Sequence, residues 1–196
     1  MKYLVMILLS LAFSNCQNNE EQIEGKFIEK IERNTIIFVD GSIYELDQSD
    51  GSKIFYLVRH AEKDTTPTDN PVLTREGYQR SYRLAEIFKS TKLDAVYSTL
   101  LNRTIHTVDS LTQLKGISTS IYQPKDLKDL GDKMVKSSSL NRVLISGHSN
   151  TTPAFAGVLM GETQYNQSFD ESDYDNLLIV QIPKEGERML LKLRYK

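Results

Sequence analysis

The chain has 196 residues, 39% of them hydrophobic and 26% charged, and a formal net charge of -2. That length suits one well-packed domain better than two. The near-neutral balance excludes the basic excess that a nucleic-acid binder gathers on one face. Any charged substrate must therefore be met by a few placed residues.

In chain order, Met1-Lys2 is a short positive start and Tyr3 to Phe13 is almost unbroken apolar sequence. This run is too short to span a bilayer as a helix and has the length of a signal-peptide core. It stops at Ser14-Asn15-Cys16, and Cys16 is the only cysteine in the chain. A single cysteine has no internal partner for a disulfide. Placed directly after the apolar run, it resembles the lipobox of bacterial lipoproteins, although Asn15 and Phe13 depart from the usual flanks. The resemblance implies a signal peptide over 1–16, lipidation of Cys16 and an exported protein of the cell envelope held to the membrane by its lipid. The competing reading is an ordinary secretory signal that leaves a free thiol. Residues 17–24 are polar and read as a tether.

Residues 25–50 form a small β extension in this reading. Lys26 to Ile31 and Thr35 to Val39 are β-prone, and Asp40-Gly41 before Ser42-Ile43-Tyr44 is a hairpin signal. From 51 to 196 strands and helices alternate. Ile54 to Val58 reads as a strand buried on both faces. A helix follows from Thr74, with Tyr78, Tyr82, Ala85 and Phe88 marking its apolar face. Leu93 to Ser98 is a strand, and a helix from Asn102 carries Ile105, Val108 and Leu111. Thr119 to Tyr122 is a short strand, followed by a helix over Asp126 to Lys136. Arg142 to Ser146 is a buried strand, and a helix opens at Thr152-Pro153 and ends at Gly161. Asn176 to Ile182 and Arg188 to Leu193 close the chain as an antiparallel pair. The expected fold is α/β: a three-layer αβα sandwich on a mostly parallel sheet, with the β extension appended.

Arg59-His60 directly follows the first strand of this domain and Gly147-His148 directly follows the fourth. In open α/β sheets the ligand crevice lies beyond the carboxyl ends of the strands, so both histidines belong to one rim. Arg103 lies just past the second strand, on the same rim. Ser149-Asn150-Thr151-Thr152 leads into a helix whose first N–H groups and dipole favour an anion. A lone histidine or arginine is ordinarily structural or solvated; the shared rim is what raises these four.

These residues resemble a family. Leu57-Val58-Arg59-His60-Ala61-Glu62-Lys63 is similar to the arginine-histidine signature of the histidine phosphatase superfamily, with Ala61 in place of the usual glycine. Leu73-Thr74-Arg75-Glu76-Gly77, Tyr97 to Thr107 around Arg103, and Gly147-His148-Ser149-Asn150 follow in the family's order. The resemblance spans residues 53–182 and implies the phosphoglycerate mutase-like fold. It also implies a phosphatase that forms a phosphohistidine on His60, with Arg59, Arg103 and His148 holding the phosphoryl group and Asn150 or Thr151 completing the cradle. Arginine suits this role because its planar fork matches phosphate oxygens. No metal and no cofactor are implied, since side chains supply the charge that phosphoryl transfer needs.

The proton donor stays open. Asp126 falls where the family's acid region lies; Glu62 is the rival, with a possible substrate contact, and Asp129, Glu171, Asp173 or no acid at all follow. His106 reads as flanking. The implied substrate is a phosphorylated small molecule or phosphoprotein. A mutase would need a covering insertion for which residues 104–147 leave little room. A non-catalytic binding module on the same fold would be expected to have lost one of the two arginines or two histidines, and all four are present.

Overall fold

The computed structural model describes residues 22–162 and 168–196. The expected signal peptide, Cys16 and most of the expected tether lie outside the described residues. Among the described residues, nine strands and four helices follow one another. They are β1 (Ile28–Glu32), β2 (Thr35–Phe38), β3 (Ile43–Glu45), β4 (Lys53–Arg59), α1 (Arg75–Ile87), β5 (Ala95–Ser98), α2 (Asn102–Lys115), β6 (Thr119–Ile121), α3 (Leu127–Lys136), β7 (Arg142–Gly147), α4 (Thr151–Met160), β8 (Asn176–Ile182) and β9 (Met189–Arg194). A 3-10 turn at Pro124–Asp126 precedes α3.

The main sheet has the order β6-β5-β7-β4-β8-β9. The four strands from β6 to β4 are mutually parallel, whereas β8 and β9 pair antiparallel. All seven residues of β4 are buried, as expected of a central strand covered on both faces. Its side chains divide by alternation. Ile54, Tyr56 and Val58 join a cluster with Leu84, Phe88, Val108 and Leu111 of the α1–α2 layer. Phe55 and Leu57 join Met134, Phe155 and Leu159 of the α3–α4 layer. The result is the expected three-layer sandwich.

The N-terminal extension is a three-stranded antiparallel sheet, β1-β2-β3, one strand more than a hairpin. It has no core of its own: Ile28, Ile31, Ile36, Phe38 and Leu46 belong to the same cluster as β4 and α1. Main-chain atoms fasten it as well. Thr91 Oγ1 donates to Ile31 O at 2.8 Å and Arg83 Nη2 donates to Glu29 O at 2.8 Å. The tether expected through residue 24 ends sooner, because Ile23 is buried in that cluster and Gly25 N donates to Lys192 O at 2.8 Å.

One expected face is corrected. Thr74 caps α1, accepting from Gly77 N at 3.2 Å. The helix then buries Gly77, Ser81, Leu84, Ala85 and Ile87, while Tyr78 and Tyr82 stay exposed. Close approach explains the choice: a Cβ on Gly77 would stand 2.1 Å from Glu62 O, and Ser81 Oγ donates to His106 O at 2.8 Å. Small residues face the crowded side, and the tyrosines, whose rings would not fit there, face solvent. Tyr78 instead stacks on His106, with its hydroxyl 3.2 Å from Nδ1.

Candidate active site

The parallel pairing of β4 with β7 sets Arg59 opposite Gly147 at the ends of the two strands. The chain leaves both strands here, and His60 N donates to Gly147 O at 2.9 Å. Gly147 has no room for a side chain: a Cβ would meet Thr152 Oγ1 at 2.9 Å, with Thr151 Oγ1 and Tyr122 Oη each at 3.0 Å. This close packing brings the two histidine rings within 5.6 Å, centroid to centroid.

Each histidine has one nitrogen engaged. His60 Nδ1 lies 2.8 Å from Ala61 O, a carbonyl that only accepts, so Nδ1 carries the proton and Nε2 keeps its lone pair. Thr107 Oγ1 steadies this turn, accepting from Ala61 N at 2.8 Å and donating to Arg103 O at 2.7 Å. His148 Nε2 lies 3.0 Å from Thr99 Oγ1, and His148 N donates to Thr151 Oγ1 at 2.9 Å. Burial lowers the pKa of His60 to about 3 against the opposing pull of the Ala61 carbonyl, with Arg59, His148 and Arg103 lowering it further. Burial, then Arg103 and Arg59, lower that of His148 to about 4. Both rings are neutral at pH 7 in this pocket.

A cavity of about 440 Å³ is lined by His60, Lys63, Arg103, His148, Ser149, Asn150, Ser168 and Glu171. Three of the four residues placed on this rim from sequence thus share a wall, joined by Asn150, while Thr151 stands behind as the partner of His148 N. Arg103 has a buried Nε without a partner, and so does Arg59. Arg59 itself is fully buried behind the wall. Its Nη1 donates to Asp170 O at 2.7 Å and Asp173 O at 3.1 Å, its Nη2 donates to Glu171 Oε2 at 2.9 Å, and Tyr174 covers it with its ring centroid 4.3 Å from Cζ. Both Nη atoms of Arg59 are thus engaged by the 170–174 segment, and its Nε is left without a partner.

Two candidate carboxylates stand elsewhere. Glu62 is turned onto Arg80, whose Nε donates at 2.9 Å and Nη2 at 2.6 Å. Burial pushes its carboxyl up, but the Arg80 hydrogen bonds outweigh this and leave it below the usual range. It is therefore a structural ion pair and not a cavity residue. Asp126 ends the exposed 3-10 turn and does not line the cavity. Asp129 is also exposed, and Asp173 pairs with Arg194 at 2.7 Å. Lys63 and Ser168 were not singled out from sequence. Lys63 sits three residues after His60, and its position was a usable signal.

The model of the histidine phosphatase superfamily (branch 1) matches residues 55–133, which include Arg59, His60 and Arg103. A comparison with curated proteins finds no match. Among solved structures, the α-ribazole phosphatase of Shigella flexneri is similar with a TM-score of 0.57 at 12% identity, covering 72% of this chain and 96% of that one. The mycobacterial glucosyl-3-phosphoglycerate phosphatase Rv2419c gives 0.55 at 9% identity, over 74% and 100%. The protein histidine phosphatase SixA in complex with tungstate gives 0.55 at 14% identity, over 72% and 96%. At these identities the likeness is one of fold. The chain shares that fold, and its segment from β4 into α3 matches the pattern of the histidine phosphatase superfamily.

Proposed function

We propose that the protein is a phosphatase that takes a phosphoryl group from a phosphomonoester or a phosphohistidine onto His60 and passes it to water. The observation that carries this reading is the state of His60. Its Nδ1 is tied to Ala61 O, its ring is neutral, and it shares a cavity wall with Arg103 and His148. A neutral imidazole with a free Nε2 is a competent nucleophile at pH 7.

The surrounding charge suits the transferring group. The buried, unpartnered Nε atoms of Arg59 and Arg103 are donors without an acceptor, and phosphate oxygens supply acceptors. Ser149 and Asn150 lie at the start of α4, where free N–H groups favour an anion. His148 is neutral without ligand; an adjacent dianion raises its pKa and turns it into a charged donor as negative charge builds up. These side chains supply the positive charge, so the reading needs no metal. The fold neighbours are named for α-ribazole, glucosyl-3-phosphoglycerate and protein histidine phosphatase activities. Such different carriers on one fold fit a site that recognises the phosphoryl group and leaves the carrier to the cavity walls.

The test is hydrolysis of 4-nitrophenyl phosphate by the full chain in the presence of a chelator. The wild-type protein should turn over, and an alkaline quench should trap phosphoryl label on the peptide bearing His60. His60→Ala should lose both. Comparable turnover by that variant would mean direct attack by water and would end the assignment.

A further inference from the structure

Hydrolysis of a phosphohistidine needs a group that takes a proton from the attacking water. Glu62 is paired with Arg80, and neither it nor Asp126 lines the cavity. Among the described residues, Glu171 is the one acidic side chain in the cavity wall. Its two oxygens are held separately: Ser149 Oγ donates to Oε1 at 2.7 Å and Arg59 Nη2 donates to Oε2 at 2.9 Å. Ser149 directly follows His148 and Arg59 directly precedes His60, so one carboxylate bridges the two histidine segments.

The backbone beside it is anchored too. Phe169 N donates to Ser149 O at 2.9 Å, and the carbonyls of Asp170 and Asp173 receive Arg59 Nη1. The carboxylate is thus placed in advance, which is what proton transfer at a fixed point requires. Its side chain is nonetheless 80% exposed, giving an acquired proton a route to solvent.

We propose that Glu171 is the general base of the second half of the reaction, accepting a proton from the water that attacks phosphorylated His60. The inference rests on His60 being the nucleophile. In the step, the water oxygen bonds to phosphorus and the phosphorus–Nε2 bond breaks with its electron pair returning to Nε2. One water proton passes to Glu171. The products are hydrogen phosphate, neutral His60 still protonated on Nδ1, and a protonated Glu171 that releases its proton to solvent. The Ser149 hydrogen bond, with the charge of Arg59 and against a cost from burial, holds the Glu171 carboxyl below the usual range, so its basic form is present at pH 7.

Glu171→Gln tests this, because the amide keeps the size of the side chain and an acceptor oxygen for Arg59. Mixed rapidly with 4-nitrophenyl phosphate, the variant should give a full burst of nitrophenol and then turn over on the order of 100-fold more slowly than wild type. Phosphoryl label on His60 should accumulate, and inhibition by inorganic phosphate should stay within a few-fold of wild type. Unchanged turnover with no accumulation would overturn the role. Faster turnover with tighter phosphate inhibition would mean that the carboxylate merely competes with substrate. Joint loss of burst and phosphate affinity would mean that it only positions Arg59. If wild-type protein never labels His60, the nucleophile assignment fails and this inference fails with it.

Discussion

The N-terminal sheet and the carboxyl rim of the main sheet are both well buried, yet they bury opposite kinds of side chain. The first contributes Ile28, Ile31, Ile36 and Phe38 to a cluster shared with β4 and α1, and leaves its ion pairs, such as Lys26–Asp40 and Lys30–Glu32, on the surface. The rim buries Arg59, His60 and most of His148, keeps two guanidinium Nε atoms without partners and forces its imidazoles to stay neutral. Apolar burial is favourable wherever it occurs, whereas a buried polar group is costly unless it is paired. One region therefore supplies stability, and the other holds groups whose cost is offset elsewhere in the fold. Placing the supplying region against α1, the helix that follows the Arg59-His60 segment, lets it brace the rim without contributing a residue to the cavity wall.

That contrast can be broken at either end. The largest effect is expected from Phe38→Ala, which empties a fully buried site and should cost about 3–5 kcal/mol in denaturant unfolding. The folded fraction should keep wild-type KM and kcat; a loss of turnover in protein shown to be folded would mean that the extension shapes the site directly. Arg103→Ala should act in reverse. Removing one donor to the transferring group should slow phosphatase turnover about 100- to 1,000-fold, while unfolding shows unchanged or slightly raised stability because an unpartnered buried group is gone. A marked loss of stability would show that Arg103 holds the rim together and would weaken the contrast.

The smallest effect sharpens the comparison through pH. Both rim histidines have folded-state pKa values, about 3 and about 4, below the ordinary 6.5. Between those values and 6.5 the unfolded chain binds more protons than the folded one. Stability from these residues is thus fully present above pH 6.5 and is lost as pH falls below it. The slope is up to about 1.4 kcal/mol per pH unit for each histidine. Replacing His60 by Asn should remove part of that slope, measured as unfolding midpoints from pH 7 to 5. An unchanged slope would mean that the ring is protonated in the folded pocket.

What the sequence determined by itself was local. Strands and helices alternate in it at the observed positions because apolar runs, caps and turn residues act within a few residues of one another. Arg59-His60 and Gly147-His148 could be placed on one rim because each pair directly follows a strand, and parallel strands end on the same side. Three matters depended on the assembled structure. The buried face of α1 went to Gly77 and Ser81 in preference to Tyr78 and Tyr82, because the approach of the Glu62 carbonyl leaves space only for small side chains. Which carboxylate lines the cavity emerged only when Arg80 claimed Glu62 and the loop before β8 brought Glu171 onto Ser149. Arg59, readable as a phosphate fork from its neighbours in the chain, gave one edge to carbonyls more than a hundred positions away. Pairings at that separation leave no periodicity or spacing in a single sequence, since they are set by how the layers pack and not by any local pattern.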